Sequence, residues 1–251
     1  MKQKIIVIFV LSAILGCKKE VKPVLISETV SEKFGSPCEN EPCAEVTLDY
    51  LRYTGDAELS EEINSKINIV IIGMLELDGD LKNPDKNILE ATQEFMARFE
   101  ADKQEFPETT AGYTSEIVIS EAYKSDELLC LEAQHYSYTG GAHGYGSIFY
   151  INLDPQTGAQ LSTKDLLDIP KFMVFAENKF REENEIAANK SINSTGFWFE
   201  NDAFSLPETI GFTSESLILL YNQYNIASYA DGPIELRISR KEASAFLRFD
   251  E

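Results

Sequence analysis

Alternating, clustered and interrupted apolar positions predict most of the elements of this chain. Behind Lys2 and Lys4 an unbroken apolar run extends from Ile5 to Gly16. Val24–Val30 and Ala44–Tyr53 read as strands; in the second, Val46, Leu48, Tyr50 and Arg52 alternate imperfectly with Thr47, Asp49, Leu51 and Tyr53. After Gly55-Asp56, the residues Leu59, Ile63, Ile67, Val70, Ile71 and Met74 recur at three- and four-residue spacing, which predicts a helix ending by Gly79-Asp80. Asn83-Pro84 marks the start of a second helix carrying Ile88, Phe95 and Phe99, stopped by Pro107 and bearing a solvated acidic face of Glu90, Glu94, Glu100 and Glu105.

Three strands are expected next, at Tyr113–Tyr123, Leu128–Tyr138 and Gly146–Leu153, followed by the turn Asp154-Pro155-Gln156-Thr157-Gly158. Ser162 or Thr163 caps a short helix through Leu167, and a longer helix runs from Phe172 to about Ala188. A polar loop precedes a hairpin of Thr209–Phe212 and Leu217–Tyr221, then a strand at Ile234–Ile238 and a closing helix at Arg240–Leu247. This order predicts an α+β fold of antiparallel sheets with helices packed on one face, in two consecutive subdomains spanning residues 24–125 and 126–251.

The apolar run of residues 5–16 is too short to cross a hydrocarbon core, which takes about 20 residues. Behind a basic start it reads as a secretory signal. Its end, Ile14-Leu15-Gly16-Cys17, resembles the lipobox of bacterial lipoproteins, which implies a signal peptide of residues 1–16, acylation of Cys17 and a tether of residues 17–23. The alternative is an ordinary signal peptide in which Cys17 is incidental. The expected location is the cell envelope, on the periplasmic face or the cell surface, with the membrane contacted through the lipid.

Charge narrows the partners further. Forty-two acidic side chains face 22 basic ones, a formal charge of −20 that becomes −22 once Lys2 and Lys4 are removed. Nucleic acid, which needs a basic stripe, is excluded as the main partner. Export permits disulfides. Cys38 and Cys43, in Ser36-Pro37-Cys38-Glu39-Asn40-Glu41-Pro42-Cys43, form the preferred pair; reduced thiols or a bridge from Cys130 are the alternatives. Cys130, within Leu128-Leu129-Cys130-Leu131, reads as a buried small hydrophobe. Neither a metal nor a cofactor is expected.

Residues 136–146, Tyr-Ser-Tyr-Thr-Gly-Gly-Ala-His-Gly-Tyr-Gly, hold the most informative chemistry. No Lys follows the glycines and the next residues are strand-like, so a phosphate-binding loop is disfavoured. A tight crossover between strands, with Gly140, Gly141 and Gly144 supplying positive φ or close approach, is the simpler reading. Tyr138, Tyr145 and Tyr229 are either interface anchors or sheet residues whose hydroxyls cap the backbone. His143 is either a structural histidine or the centre of a hydrolase; no nucleophile motif accompanies it. Trp198 is either an aromatic platform or a core plug.

The pattern Tyr138-x-Gly140-Gly141-Ala142-His143-Gly144, with Phe149–Asp154, Thr157-Gly158 and Leu161–Leu166 behind it, is similar to an exported bacterial domain of unknown function. The segments Phe212–Leu217 and Tyr221–Pro233 match the same family. This domain forms the C-terminal half of the ectodomain of a lysozyme-sensing anti-sigma factor and accompanies some peptidoglycan deacetylases. The N-terminal half, with Glu62–Ile67, more weakly resembles its usual companion domain. The lipobox replaces the sigma-binding segment and spanning helix of the anti-sigma factor, so sigma signalling does not carry over. The resemblance implies a binding role, and in the anti-sigma factor the ligand is lysozyme, so a basic lysozyme-like protein is the expected partner; Tyr138, Gly140, Gly141, His143, Tyr145 and Tyr229, in and beside the glycine-rich stretch, are the candidate contact residues. A peptidoglycan- or glycan-binding accessory module is the alternative.

Overall fold

The computed structural model describes residues 24–35, 41–76, 86–108 and 111–249. The lipobox with Cys17, the Asn83-Pro84 cap and Cys38 lie outside the described residues; Cys43 is disulfide-bonded. Among the described residues no helix is long and apolar enough to cross a membrane.

The fold is α+β with two sheets. Strands β1 (Leu25–Phe34), β2 (Ala44–Gly55), β3 (Tyr113–Lys124), β4 (Leu129–Tyr138) and β5 (Tyr145–Leu153) form the first, in that spatial order. All its neighbours are antiparallel except β2 and β3, which run parallel. Parallel neighbours need a long crossover, and here a pair of helices supplies it. Helix α1 (Ala57–Leu75) is capped by Asp56, whose side chain accepts from the Leu59 N–H, and buries Leu59, Ile63, Ile67, Ile71 and Leu75 along one stripe. Helix α2 (Ile88–Glu105) begins at a reciprocal cap between Asn87 and Glu90 and buries Ala91, Phe95 and Phe99. Lys86 Nζ ties the two helices together, reaching Glu76 at the end of α1 (2.6 Å) and Glu94 on α2 (2.7 Å).

The remaining elements form the second half: short helix α3 (Thr163–Leu166), helix α4 (Ile169–Glu183), strands β6 (Ile210–Phe212), β7 (Ser216–Tyr221) and β8 (Ile234–Ser239), and short helix α5 (Arg240–Ala243). Helix α4 starts three residues before the expected Phe172, because Pro170 sits in its first turn, and it stops at Glu183. Its Phe180 is surrounded by Phe197, Phe199, Phe204 and Tyr221 at 5.0–6.2 Å between ring centroids. Arg240 is buried with its guanidinium 4.5 Å from the Tyr123 ring centre and also over Phe212 and Phe249.

Two cores result, and they share strands. The two-residue period of β4 sends Leu129, Leu131 and Ala133 into the core beneath α1 and α2, and Cys130 into the core around α4 and β6–β8. Strand β5 does the same, with Ile151 and Leu153 on one side and Tyr150 on the other. The boundary expected between residues 125 and 126 therefore falls inside the first sheet, at the turn between hydrogen-bonded β3 and β4. Side chains join the two sheets. Asn222, 9% exposed, lies along the outer edge of β5: its Oδ1 accepts from the Ile148 N–H (2.8 Å) and its Nδ2 donates to the Ile148 carbonyl (3.0 Å). Thr209 Oγ1 accepts from the Tyr150 N–H, and Asn152 Nδ2 donates to the Ile210 carbonyl. Polar side chains thus satisfy an edge that would otherwise be open to another strand.

Candidate functional site

The glycine-rich stretch is the β4–β5 turn, as the sequence suggests. Gly140 and Gly141 have φ of +92° and +94°, a region that L side chains rarely adopt, and face open space. Gly144 serves by close approach: a Cβ there would lie 2.3–2.6 Å from the Tyr136 ring and hydroxyl.

The turn meets the loop after β7. The His143 ring stacks on Tyr229 with centroids 3.8 Å apart and planes 22° apart, and Tyr224 lies 5.7 Å from Tyr229 on a tilted plane. One carbonyl organises this ladder. The Gly144 oxygen accepts from the Tyr229 hydroxyl (2.9 Å) and lies 3.1 Å from His143 Nδ1. A carbonyl only accepts, so Nδ1 is the donor of this pair. Tyr138 donates to the Gly141 carbonyl at 3.1 Å and Tyr145 to the Gln223 carbonyl at 3.4 Å. Each of the three tyrosines named from sequence spends its hydroxyl on backbone. Tyr145, nevertheless, is 38% exposed and Tyr224, unremarked in the sequence, 53%.

Tyr138, Gly140, Gly141, His143, Tyr145 and Tyr229 therefore gather where the β4–β5 turn meets the loop after β7. Sequence reasoning missed Tyr136, Tyr224 and Asn222. The Tyr136-x-Tyr138 spacing, two tyrosines on one strand face, was the available signal for the first. Trp198 is 46% exposed, with its backbone N–H bonded to the Ile226 carbonyl, so it is not a core plug.

Among the described residues no nucleophile or carboxylate is hydrogen-bonded to His143, and no group of three His, Cys, Asp or Glu could hold a metal ion. His135 is separate: its side chain meets Ser115 Oγ at 3.1 Å, and burial depresses its pKa to about 4. Cys130 is a buried free thiol pushed up to about 12 by burial, with Sγ accepting from the Phe212 N–H.

A shallow groove of about 420 Å³ runs beside the turn. Glu116, Val118, Gln134, Tyr136, Gln223 and Tyr229 line it.

The fold is that of a known class of structures. A DUF3298-family protein from Bacteroides fragilis superposes with a TM-score of 0.71 at 17% identity, over 91% of this chain and 95% of that one. Another DUF3298-family protein, from Pseudomonas aeruginosa, gives 0.65 at 18% identity, over 90% and 96%. Residues 154–241 match the family described as a protein of unknown function, DUF3298, and residues 38–145 match the family described as deacetylase PdaC. The chain thus carries a DUF3298 region behind a PdaC-like region, the companion order expected from sequence. No curated protein matches it. Both families together point to a cell-envelope-related module.

Proposed function

We propose that this chain is an exported binding protein, moored to the envelope by lipid on Cys17, whose β4–β5 turn and β7–β8 loop grip a basic protein of lysozyme type. The observation that carries the reading is the ladder of His143, Tyr229 and Tyr224, in which His143 and Tyr224 are exposed and the Tyr229 hydroxyl is held by the Gly144 carbonyl. Tyrosines anchored in this way offer contact area at low entropic cost and recur at interface hot spots. The excess of 42 acidic over 22 basic side chains steers a cationic partner toward the surface, most strongly at low salt.

Calorimetric titration with a basic lysozyme at low and moderate salt tests the ligand. Saturable binding that weakens with salt, and falls about thirtyfold in Tyr229→Ala, supports it; no heat at either salt removes lysozyme. Fractionation of Cys17→Ser tests the anchor, and the variant should leave the membrane. A second reading, a cell-wall glycan ligand, rests on Trp198 being half exposed. Co-sedimentation with peptidoglycan separates it from the first.

A further inference from the structure

We propose that the groove beside the turn, walled by Tyr136 and Tyr229 and edged by Glu116, is a receptor for one cationic side chain, an arginine or a lysine, of the bound partner. This deepens the function proposed above and depends on it only for the source of the cation.

The chemistry of the walls selects positive charge. Tyr136 is 44% exposed, and its ring is seated against Gly144, the residue whose carbonyl also holds Tyr229. Two aromatic rings therefore converge on one glycine and flank the groove. Glu116, exposed on β3, stands opposite Tyr136 in the antiparallel register of β3 and β4. Such directly opposed residues have Cβ atoms about 5 Å apart, so carboxylate and ring serve the same guest. A carboxylate beside the face of a phenol ring is a recurrent receptor for ammonium and guanidinium groups.

The donors tell the same story. The Tyr229 hydroxyl is committed to Gly144, the Gln134 amide nitrogen to Glu132 and the Asn222 amide nitrogen to Ile148. Gln134 Oε1 remains as an acceptor. Among the described residues no Lys or Arg lines the groove. His135 also lines the groove, but its ring meets Ser115 Oγ at 3.1 Å and, with its pKa depressed to about 4 by burial, carries no charge at neutral pH. A guest anion would meet the Glu116 carboxylate; a guest cation meets the half-exposed Tyr136 ring, a counter-charge and an amide oxygen. At about 420 Å³ the groove holds one long side chain, whereas a helix about 10 Å across would not enter it.

The test follows backbone amide resonances of the protein during titration with N-acetylarginine amide, and with N-acetylcitrulline amide as the neutral isostere. The arginine probe should shift Gln134, Gly146, Ile148 and Gln223. Citrulline should bind about tenfold more weakly, and Glu116→Gln and Tyr136→Leu should each weaken the arginine probe about fivefold. Silent groove amides, equal response to citrulline, or indifference to Glu116→Gln would each overturn the proposal. Lysozyme titration of the same variants separates the two claims. A groove that takes the arginine probe in a protein that ignores lysozyme keeps this site and removes the lysozyme ligand. Lysozyme binding with silent groove amides does the reverse.

Discussion

Replacing Asn222 by Ala removes the side chain that occupies the outer edge of β5. Both Ile148 backbone groups, N–H at 2.8 Å and C=O at 3.0 Å, lose their partner at once. A typical intramolecular hydrogen bond contributes about 1 kcal/mol net, and a buried group left unsatisfied costs about 1–3 kcal/mol. Ile148 is only half-buried and lines the groove, so water reaches part of the vacated edge. The balance places the loss at about 2–3 kcal/mol for the pair. Urea unfolding followed by circular dichroism measures it. The companion variant Asn222→Asp keeps the acceptor toward Ile148 N–H but aims a second oxygen at a carbonyl. At neutral pH it should cost at least as much as alanine, and it should recover as the carboxyl protonates and can donate again. A loss below about 0.5 kcal/mol in Asn222→Ala, within the range of ordinary surface substitutions, would refute the view that this side chain substitutes for a strand.

Three further outcomes follow from the same geometry. Because the folded pKa of His135 is depressed to about 4 from 6.5, the unfolded chain binds more protons between those values; its contribution is present above pH 6.5 and is lost as pH falls toward 4, by up to about 3 kcal/mol. The difference in unfolding free energy between wild type and His135→Gln across pH 4–7 measures it, and parallel curves would contradict it. Cys130, with its thiol pushed up to about 12, should resist iodoacetamide in the native protein at pH 8, and its labelling in urea should follow the unfolded fraction, read by peptide mass spectrometry. Gly144→Ala should destabilise by about 1–3 kcal/mol through contact with Tyr136, since the Gly144 backbone itself is not left-handed; Tyr136→Ala in the same chain should relieve most of that cost in a double-mutant cycle.

Local periodicity made most elements legible, because burial repeats every two residues in a half-covered strand and every three to four in a helix. Val46 and Leu48 of β2 and the Leu59–Ile71 stripe of α1 lie where the pattern put them. Non-local facts were not written that way. Nothing in the alternation of β2 or β3 says that they neighbour each other in parallel; that depends on how two helices return the chain. Helix α2 starts at Ile88 rather than at the expected Asn83-Pro84, because Asn87-Ile88-Leu89-Glu90 carries the spacing of a reciprocal cap, formed by 3.0 and 3.1 Å hydrogen bonds. The site was partly legible. Glycines around a histidine announced a tight turn, and the tyrosines near it could be named. The stacking of His143 on Tyr229 joins residues 86 positions apart in sequence, and Asn222 reads as an ordinary turn asparagine until β5 is laid beside it.

The sharing of β4 and β5 between both cores constrains how such a protein can be inherited. The PdaC-like region, taken as residues 38–145, ends where β5 begins. A gene fusion that carried that stretch alone into a new host would deliver β4 with the whole of its β5-facing side bare, ready to recruit any passing strand. Recombination at that seam would tend to be lost unless the incoming partner brought a strand of matching register, so the two regions are expected to travel as a pair.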